Sequence, residues 1–252
     1  MWFRVQDRRL LVAALTGLAA TAWLSLWLWT RSPYGALLDH TRHADGLWAV
    51  YVPIAGWTLM LVAMMLPTTL PLVALFASFV RRRPDPNRLV GVLIGGYLLI
   101  WAVFGLVLHA GDHLSRLALD QSAWVGGHAW LVGAAIVTGA GVYQFTGLKR
   151  RCLEKCRSPL AFIMEHWHGE DGEREAFQLG IHHGLFCIGC CWTLMLLMFL
   201  VSIGNLGWML GLAGVMAIEK NLAWGRHLSA PLGVLLIATG VALVAAHTMS
   251  MH

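Results

Sequence analysis

Residues 180–203 read GIHHGLFCIGCCWTLMLLMFLVSI, a run that contains no Asp, Glu, Lys or Arg. About 20 consecutive apolar residues in an α-helix cross a bilayer, because each residue adds roughly 1.5 Å and the hydrocarbon core is roughly 30 Å thick. The run is long enough for such a crossing, and it carries three of the five cysteines of the chain. It therefore predicts a membrane-spanning helix with thiol side chains along it.

The composition of the whole chain agrees with this prediction. Its 252 residues are 58% hydrophobic and 12% charged, and the mean hydropathy is +0.66. Soluble globular proteins carry about 25% charged residues, so this chain has too little polar material to cover a water-facing surface. The composition indicates a polytopic membrane protein and excludes a soluble enzyme, a nucleic-acid-binding domain and a disordered chain. The net charge of +5 is interpreted as anchoring by cytoplasmic arginines.

An apolar run near the N-terminus, Leu10–Trp29, follows Arg4, Arg8 and Arg9 in the manner of a signal peptide. The apolar core of a signal peptide is about 7–15 residues long and ends at a cleavage site of small residues. This run is longer and ends in WLWTR at residues 27–31. We therefore predict a retained first span.

Seven apolar segments predict an all-α bundle of about seven transmembrane helices in a single domain, residues 1–252. The spans are expected at about 10–29, 50–80, 89–108, 129–148, 180–203, 206–218 and 231–246, with an acidic cytoplasmic connection at 149–179. Short cytoplasmic loops carry an excess of Lys and Arg. With a cytoplasmic N-terminus and a periplasmic C-terminus, all 18 Lys and Arg residues lie inside except Arg31, Arg42 and Arg116.

All five cysteines lie within one short part of the chain. Cys152 and Cys156 follow the fourth predicted span, whereas Cys187, Cys190 and Cys191 lie a turn or two inside the fifth. Residues three or four apart share a helix face, so each group directs its thiols to one side. The fourth span ends and the fifth begins on the same side of the membrane. We therefore expect the two groups to meet near the cytoplasmic interface.

Such a cluster indicates metal or redox chemistry. Thiolates select Cu(I), Zn or Fe–S clusters, and four Cys and His ligands satisfy tetrahedral Zn. The predicted ligands of a copper or zinc ion are the five cysteines and His183, which lies one turn before Cys187. A second interpretation is a membrane thiol–disulfide oxidoreductase whose reactive pair is Cys187 and Cys190. A third is a structural or assembly subunit in which the cysteines only pack as small apolar side chains.

Three motifs resemble the signature of a bacterial family that is catalogued as a domain of unknown function and labelled predicted metal-binding integral membrane protein. They are YQFTGLK at 143–149, CLEKCRSP at 152–159 and GIHHGLFCIGCCW at 180–192. MMLPT at 64–68 and the Glu219-Lys220 pair are similar to it as well. The resemblance implies a multi-pass protein of the bacterial inner membrane that binds a metal, and it supplies no reaction. Gly147 departs from the family pattern, which has proline at this position.

Other residues suit metal binding less directly. His166 and His168 lie among carboxylates, where they either capture a metal for the thiols or belong to a solvated acidic loop. Met64 lies on the second span, either as part of a thioether path or in the core of a helix kinked by Pro67 and Pro71. A possible outer metal site comprises His109, His113, His247, Met249, Met251 and His252.

The leading hypothesis is an integral membrane protein that handles copper or zinc through a Cys/His cluster on the cytoplasmic side. It acts as an accessory or delivery factor for a membrane enzyme, so its expected partners are the lipid bilayer and other membrane subunits, and no nucleic acid. Glu219 and Lys220 are interpreted as an anchor at the membrane interface. The chain has no nucleotide-binding loop, Ser/His/Asp arrangement or His-Glu-x-x-His motif, and no hydrolase or ATPase is predicted.

Overall fold

The structure is a computed structural model that describes residues 8–32, 48–121, 129–201 and 205–250. All regular secondary structure in these ranges is helical, which confirms the all-α prediction. The helices are α1 (Arg8–Arg31), α2 (Trp48–Met64), α3 (Leu66–Phe79), α4 (Pro86–Gln121), α5 (Ala129–Tyr143), α6 (Gly147–Arg157), α7 (Pro159–His166), α8 (Gly172–Val201), α9 (Leu206–Asn221) and α10 (Ser229–Ser250), with a 3-10 turn at Gly225–Leu228 before α10.

The second predicted span is two helices joined at a bend. α2 and α3 meet at Met65 at an angle of 59°. Pro67 is in the first turn of α3, where its missing N–H is one that a helix start leaves unbonded in any case. Pro71 lies inside α3 and does not end it. The predicted interruption of this span is therefore a single bend, placed at Met65.

A second bend follows α5. The axes of α5 and α6 differ by 62°, and the chain turns between them at residues 144–146. Thr146 caps α6, because its hydroxyl accepts a hydrogen bond from the Lys149 N–H at 3.3 Å. Gly147 is the first helical residue, a position at which proline is also favoured. Its replacement of the family proline therefore leaves the start of α6 intact.

The predicted acidic connection, 149–179, is mostly helical. It comprises most of α6, all of α7 and the first two turns of α8. Lys155 forms an ion pair with Glu165 across the α6–α7 turn. The Glu175 carboxylate accepts backbone hydrogen bonds from all four residues 168–171. These four residues therefore form a defined turn at the start of α8.

Four helical segments are long and apolar enough to cross a membrane: Arg9–Arg31, Pro86–Ser115, Gly172–Met198 and Gly225–Met249. The two bent pairs raise the number to six if each pair is one span. α9 has 16 residues, fewer than the roughly 20 of a full span. The described residues thus support four to six candidate spans, and the seven-span topology and its orientation stay predictions.

α8 lies at the centre of the bundle and packs on α4, α5, α6, α7 and α9. Its approach to α4 depends on glycine, because a Cβ at Gly96 would lie 2.5 Å from the Phe177 carbonyl and Cβ atoms at Gly180 and Gly184 would strike Leu93 and Ile100. Small residues let helix backbones approach in this way. The close approach buries the cysteine-bearing part of α8 in the core.

Candidate functional site

Helices α6 and α8 bring the two cysteine groups together. The Sγ atoms of Cys156 and Cys190 lie 4.0 Å apart. Cys152 packs against Gly189, where an added Cβ would lie 2.6 Å from the Cys152 sulfur. All five cysteines lie in the described part of the chain, and all are free thiols.

The three thiols of α8 occupy one buried face. The Sγ atoms of Cys190 and Cys191 lie 3.1 Å and 2.9 Å from the Cys187 carbonyl oxygen, as donors of S–H hydrogen bonds within the helix. Cys187 contacts the hydroxyl of Tyr97 on α4 at 3.2 Å. Helices α4, α6 and α8 therefore all supply side chains to this region.

A buried lysine lies among the sulfur atoms. The Lys220 Nζ on α9 is 2.9 Å from the Cys187 Sγ and 4.0 Å from the Cys191 Sγ. It is also 3.9 Å from the thioether sulfur of Met65 and 3.5 Å from the hydroxyl of Thr68. An ammonium group buried in apolar surroundings needs a charged or strongly polar partner. The arrangement favours a negatively charged thiolate at Cys187.

A second buried lysine lies next to this region. The Lys149 Nζ donates hydrogen bonds to both Glu219 carboxylate oxygens at 2.8 Å and 2.9 Å, and also to the Gln144 amide oxygen. Ser229 donates to the same carboxylate at 2.6 Å, and Arg157 donates to the Glu219 carbonyl oxygen. These bonds join the turn after α5 to α6, α9 and α10 at one end of the bundle.

The interpretation of Glu219 and Lys220 as an interface anchor was wrong. Their exposed fractions are 2% and 7%, and each is bonded inside the protein. The cation beside the thiols is Lys220, whereas Lys149 is held by Glu219. Sequence patterns did not reveal these roles, because a Glu-Lys pair at the end of an apolar helix is also typical of a solvated helix end.

Among the described residues, no group of three or more His, Cys, Asp or Glu side chains has the arrangement of a metal site. A physical cause is visible: two thiols are directed at the Cys187 carbonyl, and the Lys220 ammonium lies within 4 Å of the sulfur atoms of Cys187 and Met65. The donors themselves suit a soft ion, since they are thiols and a thioether. The tetrahedral set that zinc requires is not formed by the described residues, so zinc gains no support.

His183 is buried on α8 but lies between aromatic rings. Its ring centroid is 5.8 Å from that of Tyr97 and 5.6 Å from that of Phe162. Its Nδ1 has no hydrogen-bond partner in the described structure. His183 therefore belongs to the same core as the thiols, with one ring nitrogen available for a partner.

The accessory candidates have different surroundings. His166 packs on Phe162 and on the His182 ring, whereas His168 is exposed and its backbone N–H bonds to Glu175. Met64 is buried in the core, but it is the neighbouring Met65 whose sulfur approaches Lys220.

The predicted outer residues lie on two helices. His109 and His113 are exposed on successive turns of α4. The His247 ring stacks on Trp130 at a centroid distance of 4.1 Å, and Met249 is exposed on the last turn of α10. Met251 and His252 lie outside the described residues. An outer metal site stays a prediction.

The fold and the site together define an apolar all-helical protein with a buried cluster of sulfur donors. A family model described as PpoB2, copper chaperone, matches residues 54–243, and the chain belongs to this family. The matched part contains all five cysteines, Met65 and Lys220. The match agrees with the metal-related family that the motifs indicated. No curated protein and no solved structure matches the chain.

Proposed function

We propose that this protein is a membrane-embedded copper chaperone that carries Cu(I) on the sulfur cluster between α6 and α8. The observation that carries the proposal is the convergence of Cys156 and Cys190 from two helices, within a chain of the copper chaperone family. Cys152, Cys187, Cys191 and Met65 complete the donor set. His183 lies nearby as a further ligand.

The chemistry of the cluster suits Cu(I) as cargo. Thiolate and thioether sulfur are the donors that select this ion, and the thiolate is the form of cysteine that binds a metal. The Lys220 ammonium stabilises negative charge on Cys187 and balances the charge of a copper–thiolate unit inside the protein. Transfer then needs only the exchange of one thiolate ligand for a thiolate of the recipient, with no change in the oxidation state of copper.

The proposal places the chain in the bacterial inner membrane as a multi-pass protein. Large apolar side chains are exposed along several helices, including Leu24 and Leu28 on α1, Leu106 and Val107 on α4, and Val234 and Leu235 on α10. Apolar surface of this extent requires a lipid or protein partner. The distribution of Lys and Arg supports a cytoplasmic side for the cluster. The recipient is a membrane enzyme or another membrane subunit.

Copper stoichiometry tests the function. Protein purified anaerobically in detergent is loaded with Cu(I) and measured by inductively coupled plasma mass spectrometry. About one Cu(I) per chain is expected, and its loss in Cys156→Ala/Cys190→Ala follows if these thiols are ligands. Thr193→Ala is the matched control, because Thr193 is buried on α8 and its hydroxyl has no partner in the described structure. Equal copper in the double variant and the control would reject the proposal.

A further inference from the structure

A cavity of about 470 Å³ opens at the end of the bundle where α5 bends into α6 and where α9 connects to α10. Its lining is strongly basic. Four basic side chains line it together with His227: Lys149, Arg150, Arg157 and Arg226. Among the described residues, Glu154 supplies the one carboxylate of the lining. The cavity is separate from the sulfur cluster, because none of the five cysteines lines it.

Much of this positive charge has no counter-ion in the described structure. The Arg157 guanidinium donates to the carbonyl oxygens of Glu219 and Ala223, the latter at 3.0 Å, and forms no ion pair among the described residues. Arg150 and Arg226 are exposed at the rim. Of the four basic side chains in the lining, only Lys149 is neutralised within the described ranges, by Glu219. A cavity with excess positive charge and several free N–H groups is suited to an anion.

Gln144, which lines the cavity, also carries a buried hydrogen-bond donor. The Gln144 amide oxygen accepts from Lys149, whereas its Nε2 is buried and has no partner in the part of the chain that the structure describes. A buried N–H without an acceptor costs about 1–3 kcal/mol.

Exposed aromatic residues lie at the cavity. Phe145 lines it and is 45% exposed, and Trp224, adjacent to the lining residue Ala223, is 55% exposed. Aromatic residues concentrate at the level of lipid headgroups, and basic pockets at the cytoplasmic ends of membrane helices bind anionic headgroups. We infer that this cavity binds a phosphate-bearing anion, either the headgroup of an anionic phospholipid or a free phosphate.

Lipid retention tests the inference independently of copper. The protein in detergent is titrated with phosphatidylglycerol or phosphatidylcholine and examined by native mass spectrometry. Two arginines at the rim are removed in Arg150→Gln/Arg226→Gln. The control, Arg81→Gln/Arg82→Gln, removes the same charge from exposed residues between α3 and α4. We expect the rim variant to bind phosphatidylglycerol about tenfold more weakly, since charge-assisted bonds to phosphate are lost, and the control to bind as the wild type does.

The two sources of phosphate are separated by a second titration. Saturable binding of inorganic phosphate that is weakened by the rim substitutions assigns the site to a free phosphate. Binding of phosphatidylglycerol that resists millimolar phosphate assigns it to the whole headgroup. Equal loss of phosphatidylglycerol binding in the rim and control variants would show that net charge alone attracts the anion. Equal retention of phosphatidylglycerol and phosphatidylcholine would show that the cavity does not recognise the anionic headgroup. Either of these two results overturns the inference.

Discussion

The ammonium nitrogen of Lys220 lies 2.9 Å from the Sγ of Cys187, and both side chains are buried. A lysine in this position is costly unless an opposite charge lies beside it. The same requirement applies to a thiolate in the apolar core. A thiolate at Cys187 and the Lys220 ammonium would each offset the cost of burying the other, and the thiolate is the form of cysteine that binds a metal.

Replacement of Lys220 is expected to weaken copper binding. Lys220→Leu removes the charge that balances the copper–thiolate unit without adding a sulfur ligand, so the Cu(I) affinity should fall about tenfold or more. Lys220→Arg keeps the charge and should retain more of the affinity. Competition with a Cu(I)-selective chromophoric chelator measures both variants. Tighter binding by Lys220→Leu would contradict this account, because it would mean that the ammonium competes with the ion for the same place.

Oxidation is expected to join α6 to α8. The sulfurs of Cys156 and Cys190 are 4.0 Å apart, and a disulfide of about 2.05 Å requires only a modest approach. A mild oxidant should therefore form this bridge and abolish copper binding, and Cys156→Ser should prevent it. Peptide mapping by mass spectrometry identifies the bridge. A bridge between Cys187 and Cys190 instead would favour the oxidoreductase interpretation.

Most of the fold could be predicted from the sequence, because the length of an apolar run and the effect of a proline on a helix are local properties of the chain. The apolar run at 180–203 predicts α8, and Pro67 predicts a bend in the second span. The exact position of that bend, at Met65, depends instead on how the helices pack. It decides which of two adjacent methionines faces the cluster, since neighbouring residues on a helix point in different directions.

The candidate site could be predicted only in part from the sequence, for a related reason. Spacing along a helix places Cys187, Cys190 and Cys191 on one face, and the thiol spacing in α6 follows the same rule. Lys220 is different, because its direction depends on how α9 is rotated against α3 and α8. Nothing in its neighbouring residues distinguishes a lysine that points into the core from one that anchors a helix end.

The buried ion pair between Lys149 and Glu219 makes a prediction about stability. Glu219→Gln leaves the Lys149 charge without a partner, and it should destabilise the protein by about 3–5 kcal/mol. Ser229→Ala removes one hydrogen bond to the same carboxylate and should cost about 1–2 kcal/mol. Unfolding in detergent, followed by circular dichroism, measures both. Lys149→Met added to Glu219→Gln should recover much of the loss, and a double variant no more stable than Glu219→Gln would contradict the assignment.

Gly189 is expected to control how closely α6 approaches α8. A Cβ at this position would lie 2.6 Å from the Cys152 sulfur, too close for an undistorted contact, so Gly189→Ala should push the two helices apart. The expected loss of stability is about 1–3 kcal/mol, together with weaker Cu(I) binding because the two cysteine groups separate. Gly211→Ala on α9 is the matched control, since no atom lies within 4 Å of a Cβ built there, and it should preserve copper binding. If Gly189→Ala binds Cu(I) as tightly as Gly211→Ala does, the ion does not require the close contact between α6 and α8.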